Sequence, residues 1–536
     1  MIIYDLARMS TAAELLGVTV TPVARPTSER VLHIGTRTVP VHGPSLRDPR
    51  LHLSAVVATV LVLGITWMDF EISVAQILLS VAVCGTLEAA LTLRRCGALI
   101  WPASAMQTAT STVLILRVTG WNRDSLWSLD HWYLYVGVSV AGVLSKHLIR
   151  VHGRHVFNPS NVALVAAFVV IGSDRIEPLV LWWAPLRAPM VIAYAAIIVG
   201  GVIIDRRLRL LEMAAVCWLV LAAGIGLLGL QGHTITTSWS FAPVSGGHFW
   251  VTVMTSPETL LFCFFMVTDP KTVPAARHAR VRFAAVVGAV SALLAAPWGT
   301  EFGTKVGVLG GLVVGSIVRL FSERRSTNTL RPERRRTALH FVVPAAAFTL
   351  VGATIVALGS SSVAVTTARP AIAVARPGDI AFIPVPTIDR EVAGVSARLA
   401  TPDGARELGA TLARNLEIEA EALDQGNASI LEAVDHGDRL ADQQVRIRAA
   451  RAAGTRTIAT YRFDTLHLSV VFPGGAQSGA NAGLTVTGSV TESVIDSSGR
   501  IVHTSERPLD TTFAMREVQP GRWFITNELP PTGAHS

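Results

Sequence analysis

The sequence predicts an α-helical polytopic membrane protein of about eleven spans, a five-plus-five inverted repeat with one span added, followed by an extracytoplasmic α+β domain. Three observations predict it. Half of the 536 residues are apolar and mean hydropathy is +0.46, a membrane composition. Eleven apolar stretches recur along the first two thirds of the chain. After residue 358 the composition changes to charged helical periodicity and then to long alternating runs.

Residues 1–52 are mixed and polar, with no positively charged start leading into an apolar core, so they read as a cytoplasmic N-terminal segment. The apolar stretches cover 53–69, 73–93, 98–116, 131–148, 160–172, 189–204, 211–230, 249–267, 283–297, 303–321 and 338–358. The first ten make a membrane domain, 53–325; a basic loop and the eleventh span make 326–358. Lysine and arginine set the expected orientation. Twenty-five lie on the N-terminal side of the alternating loops and five on the other. That places the N-terminus in the cytoplasm and the region after the eleventh span outside. The net charge of +8 is then largely topological, and nucleic acid is not an expected partner. Nine tryptophans, from Trp67 to Trp298, fall near the outer ends of spans, as an interfacial belt does.

The chain is organised around Met254 to Pro274. Thr255-Ser256-Pro257-Glu258 is a helix start: hydroxyl cap, proline in the first turn, acid against the positive end. Leu260 to Val267 is apolar, and Pro270 stops the helix near Asp269. Either this is a well-capped span, or Glu258 and Asp269 are functional acids at membrane depth. Five spans are an odd number, so a duplicated five-span unit inserts upside down. Trp101-Pro102-Ala103-Ser104 then corresponds to the start at Thr255, and Phe157-Asn158-Pro159-Ser160 to the start at Glu301. Gly303, Gly307, Gly311 and Gly315 share one helix face, for close packing or for a flat ligand. Glu88 either faces a polar cavity or snorkels inward. The four cysteines lack the spacing of an iron–sulfur or zinc site, and there is no metal site, no G-x-G-x-x-G and no P-loop.

Lys146-His147-Leu148, Gly153-Arg154-His155-Val156-Phe157-Asn158-Pro159 and Phe265-Met266-Val267-Thr268-Asp269-Pro270-Lys271-Thr272 resemble the NqrB/RnfD family of membrane proteins. With Asp48-Pro49-Arg50-Leu51-His52 and Thr255-Ser256-Pro257-Glu258, they most resemble the RnfD-like proteins associated with enediyne biosynthesis. The resemblance covers roughly 45–325. It implies a bacterial inner-membrane protein with a ten-span inverted-repeat core and FMN or riboflavin as cofactor. The family's pumping subunits attach FMN through a Ser-Gly-Ala-Thr-like threonine; here the matching loop has Ser245-Gly246-Gly247-His248, so flavin is expected to be non-covalent or absent. The candidate binding residues are Lys146, Asn158, Pro159, Thr255, Ser256, Glu258, Thr268 and Asp269.

A linker, 359–387, leads to the domain 388–536. Helices are expected over Glu391–Ala400, Gly404–Gln425 and Ala428–Ala452. Strands are expected over Thr455–Phe472, Leu484–Ile495, Arg500–Val518 and Arg522–Asn527. Helices followed by long strands predict helices packed on a curved antiparallel sheet, and the close of the domain resembles NTF2-like or cystatin-like folds; it reads as a docking domain for a membrane or extracytoplasmic protein partner, with a ligand cone as the alternative. Two functions follow: a flavin-bearing electron-transfer subunit of an oxidoreductase, or a transporter or small-molecule-binding protein with the same fold and no redox cofactor. The lipid bilayer is a partner in both.

Overall fold

The computed structural model describes residues 30–34, 37–43, 49–68, 70–119, 125–151, 154–173, 175–179, 188–326, 350–358, 383–473, 479–519 and 521–531. Most of the basic loop, the start of the eleventh expected span and nearly all of the linker lie outside these residues.

Helices stand on the first ten expected stretches. They are α1 (Pro49–Trp67), α2 (Val74–Cys96), α3 (Ala103–Ile115), α4 (Trp132–Leu148), α5 (Pro159–Ile171), α6 (Ala188–Leu208) and α7 (Leu211–Leu230). Then come α8 (Gly246–Thr255), α9 (Pro257–Leu261), α10 (Arg277–Ala295) and α11 (Glu301–Ser326). Among the described residues four are long and apolar enough to cross a membrane: α2, α7, α10 and Glu301–Leu320 of α11. A fifth is added if α8 and the bent segment after it form one span. Length and composition therefore support a membrane protein of several apolar helices, and do not reproduce the count of eleven.

The shortfall has physical causes. At about 1.5 Å per residue, thirteen-residue α3 and α5 are roughly 20 Å long, short of the ~30 Å hydrocarbon layer. α3 ends because Leu116–Val118 turns into a strand that pairs antiparallel with Ile176–Pro178. α5 ends at Gly172, whose φ of 87° leaves the helical region. This paired backbone is mostly buried, the setting in which strand at membrane depth is tolerated. The glycine stripe is a packing device. A Cβ at Gly307 would lie 2.7 Å from the Leu294 backbone, and one at Gly311 2.1 Å from Ser291 Oγ. α11 thus lies directly on α10 along this face, with no room for a flat ligand.

The C-terminal region is a sheet packed against helices. Its strands are β1 (Thr387–Ile388), β2 (Thr455–Val471), β3 (Asn481–Asp496), β4 (Ile501–Gln519) and β5 (Arg522–Leu529), in spatial order. β1 pairs parallel to β2 and the rest form an antiparallel meander. The bulge between Phe463 and Thr465 bends it. Helix α12 (Pro402–Gln425), capped by Thr401, lays Leu408, Leu412 and Leu416 on Leu466, Leu484, Phe513 and Trp523.

The long helix expected over Ala428–Ala452 is split into a turn at Ala428–Leu431 and α13 (Gly437–Ala452). The reason is backbone pairing. His436 N–H donates to the Ile525 carbonyl at 2.9 Å and Ile525 N–H to Val434 at 2.8 Å, bonds incompatible with a continuous helix.

Residues 234–245 join the two regions. Ala480 N–H donates to the Thr237 carbonyl at 2.8 Å, and Phe241 enters the C-terminal core, its ring 5.8 Å from that of Trp523. Phe241→Ala is expected to cost about 3–5 kcal/mol of that domain's stability. Hydrogen exchange should then speed up in β5 and α12 and stay unchanged in α7 and α10. Unchanged protection in β5 would refute the role given to Phe241.

Candidate functional site

A cavity of about 330 Å³ opens in the basic half of the helical region. Five elements line it, of which α1 gives only the apolar Leu53 and Val57. From α5 come Asn158, Pro159 and Ser160. Asn158 caps this helix, accepting from Asn161 N–H at 3.2 Å and from Ser160 Oγ at 2.9 Å, with Pro159 pre-set for the first turn. From α3 come Ser104, Gln107 and Ser111, on one helical face. Gln107 accepts from Ser54 Oγ at 2.7 Å and donates to Ser111 Oγ at 3.0 Å.

The third wall is the central stretch. Ser256 caps α9 after a 44° bend, accepting from Thr259 N–H at 3.2 Å. Phe262–Met266 then winds as a π-helix, a geometry frequent at functional sites. Phe264, Phe265, Thr268 and Asp269 face the cavity from this segment and the turn after it. Asp269 Oδ1 accepts from Lys271 N–H at 3.1 Å, which closes a turn around Pro270. Its Oδ2 lies 3.9 Å from His155 Nε2. The fourth wall is the last turn of α6, with Asp205.

Four of the eight sequence-predicted residues thus meet on one cavity: Asn158, Pro159, Thr268 and Asp269. Lys146 stands behind it. Its Nζ donates to Ser104 Oγ at 3.1 Å and pairs with Glu88 at 2.8 Å, while His147 Nε2 lies 3.0 Å from the same carboxylate. Glu88 is therefore held by an internal pair rather than reaching for the surface.

Thr255, Ser256 and Glu258 lie away from the cavity, at the start of the bent segment. Ser256 and Thr255 are used locally, in the cap and in a bond from Tyr194 Oη to the Thr255 carbonyl at 2.9 Å. Glu258 Oε1 lies 3.0 Å from Lys305 Nζ, which also meets Glu301 Oε1 at 2.7 Å and the Leu179 carbonyl at 3.0 Å. This buried cluster is tied to the loop carrying Phe241, because Ser238 N–H and Oγ both donate to Glu301 Oε2, at 3.0 and 3.2 Å.

Two features escape the linear sequence. Asp205 sits in Asp205-Arg206-Arg207, which reads as the start of a solvated loop, yet its side chain is fully buried. Cys217 and Cys263, far apart in the chain, are buried in the same apolar cluster. Among the described residues no group of three or more His, Cys, Asp or Glu side chains is arranged to hold a metal ion. No protein-family model matches the chain, and no curated protein matches it.

The cavity is chemically simple. Its walls are mostly apolar, with two phenylalanine rings, bordered by hydroxyl and amide groups and by the ionisable side chains of His155, Asp205, Asp269 and Lys271. Its volume is near the lower end of the ~300–1,000 Å³ usual for small-molecule sites. It can hold one compact, ring-sized ligand.

Proposed function

We propose that the chain is an RnfD/NqrB-like integral membrane subunit, and that its cavity holds the ring of a non-covalent flavin for electron transfer at the membrane. The observation that carries the reading is the meeting of two motifs. Asn158-Pro159 and Thr268-Asp269, 110 residues apart, form facing parts of one apolar cavity. Each motif alone is a helix cap and a helix stop. Their convergence on one ring-sized space is more than capping requires.

In this reading the bound ring supplies the redox chemistry, and the chain supplies stacking surface and exclusion of water. Asn158 and Ser160 border one side, and Gln107 and Ser111 another. The basic half of the helical region is the cytoplasmic half, by the lysine and arginine count. The helices then form the inverted-repeat membrane domain in the bacterial inner membrane, with the C-terminal domain outside as the docking site for a protein partner.

The test is the visible absorbance of the purified full chain, followed by denaturation. A flavin spectrum whose pigment is released intact on denaturation is expected. A colourless preparation that also fails to bind added riboflavin would refute the reading. Asp269→Ala is expected to lower flavin content several-fold while leaving expression normal.

A second reading, a transporter, is favoured by one specific observation. The cavity lies in the basic half, while the far half is closed by Glu258, Glu301 and Lys305, with the Phe241 loop over them. That is the arrangement of a carrier open to one side only. Colourless protein together with uptake of a small apolar solute would favour it over the flavin reading.

A further inference from the structure

We propose that Asp205, as a neutral carboxylic acid, reads the imide edge of the ring bound in the cavity: its hydroxyl donates to a ring carbonyl and its carbonyl oxygen accepts the adjacent ring N–H. The proposal rests on the reading of the cavity as a ring-ligand site.

It starts from a carboxyl group left with nothing to do. Asp205 lines the cavity and is fully buried. Neither carboxyl oxygen makes a hydrogen bond of ordinary geometry among the described residues. Thr268 is a polar neighbour, but its hydroxyl donates to the Phe264 carbonyl. No cation stands in ion-pair reach of Asp205 among the described residues. Arg206 and Arg207, next on α6, are exposed. Glu212 is bound to Arg277 at 2.7 Å, and Asp269 faces His155. Cys263, buried in the same apolar cluster as Cys217, carries no charge to offset the carboxyl.

A bare carboxylate in such surroundings is very costly. A carboxyl group there avoids the cost by keeping its proton or by holding a cation. With its proton it presents one donor beside one acceptor. That pair is the complement of a lactam or imide edge, in which a ring N–H sits beside a ring carbonyl. An isoalloxazine has such an edge, and most apolar rings do not.

The surroundings supply an aromatic ring as well. Gly201 and Asp205 are four residues apart and share one face of α6. The Phe264 ring packs against Gly201 so closely that a Cβ there would be 2.6 Å from Phe264 Cγ. Phe264 also lines the cavity, so one part of the cavity wall brings an aromatic side chain and a reader for the ring's edge together.

The experiment uses the purified full chain in detergent, with lumiflavin and N3-methyllumiflavin as probes. The second carries a methyl group in place of the imide hydrogen. Binding is read from quenching of flavin fluorescence. Wild type is expected to bind lumiflavin at least about tenfold more tightly than the methylated ring. Asp205→Asn should keep that ratio, because a carboxamide also pairs a donor with an acceptor. Asp205→Leu should bring the ratio to about one.

Equal affinity of wild type for the two rings would overturn the proposal and leave the ring-ligand reading standing. Failure of wild type to bind either ring would overturn both. Asp205→Asn as weak as Asp205→Leu would also overturn it, since a site for a positive charge behaves that way. If Asp205→Leu does not fold, the smaller Asp205→Ala takes its place with the same expected ratio of about one, and a ratio kept at tenfold in it would overturn the proposal.

Discussion

Lys305→Met is expected to leave little folded protein. The substituted side chain has similar length and no charge, so the change removes the central cation and almost nothing else. Glu258 and Glu301 would then face each other in a buried site with one positive partner gone. Removing one member of a buried ion pair costs about 3–5 kcal/mol, a large share of the ~5–15 kcal/mol that holds a typical protein folded. The loss would spread outward, because Glu301 also accepts two bonds from Ser238 beside the Phe241 loop. The measurement is thermal unfolding in detergent by intrinsic fluorescence. Adding Glu258→Gln and Glu301→Gln to Lys305→Met should recover most of the loss. A single variant melting within a few degrees of wild type would show that the cluster is dispensable.

The second large effect is in the C-terminal domain. Arg439 is buried and makes two bonds to Glu419, at 2.6 and 3.0 Å. It also bonds Glu528 and lies 5.6 Å from the Phe513 ring centre. Arg439→Leu should cost about 3–5 kcal/mol, for the same reason as at Lys305. It should abolish exchange protection in α13 and β5.

Asp435, buried beside Glu419, gives a pH signature. Burial pushes its carboxyl well above the usual range, the charge of Glu419 adds to this, and Arg439 opposes it less strongly. The folded domain therefore holds a proton that the unfolded chain releases above about pH 4. Stability from this group is complete below that pH and falls as pH rises toward the raised value, by up to about 1.4 kcal/mol per pH unit. Asp435→Asn should remove the slope and raise protection of α13 at neutral pH. Exchange rates in α13, corrected for intrinsic chemistry, measure it. A slope that persists in Asp435→Asn would assign the proton to another group.

How much of this was legible differs by element. Apolar runs located the helices, because burial in lipid or protein needs the same residues. Their lengths were hidden. The turn from Ile115 into a strand depends on a partner strand at Ile176–Pro178, sixty residues on. Asn158-Pro159 and Thr268-Asp269-Pro270 were readable as a cap and a stop because both act on neighbouring backbone. Asp205 was not, because only the packing of α6 on Phe264 turns an acid before two arginines into a cavity residue. Glu258 was marked as an unusual acid, but its partner Lys305 is 47 residues away and named by no local pattern. The split of the expected helix at Asp435 was likewise invisible, since Ile525 imposes it from the last strand.

Phe241 and Trp523 set a timetable for biogenesis. A ribosome making about 5–20 residues per second needs roughly a quarter of a minute to a minute to travel the 282 residues between them. Through that interval the nascent chain carries an apolar ring on a loop whose receptor does not yet exist. A message cut short after α11 would yield a product with its helices made and that ring uncovered. The ring is then a mark by which chaperones and proteases can tell an unfinished chain from a finished one.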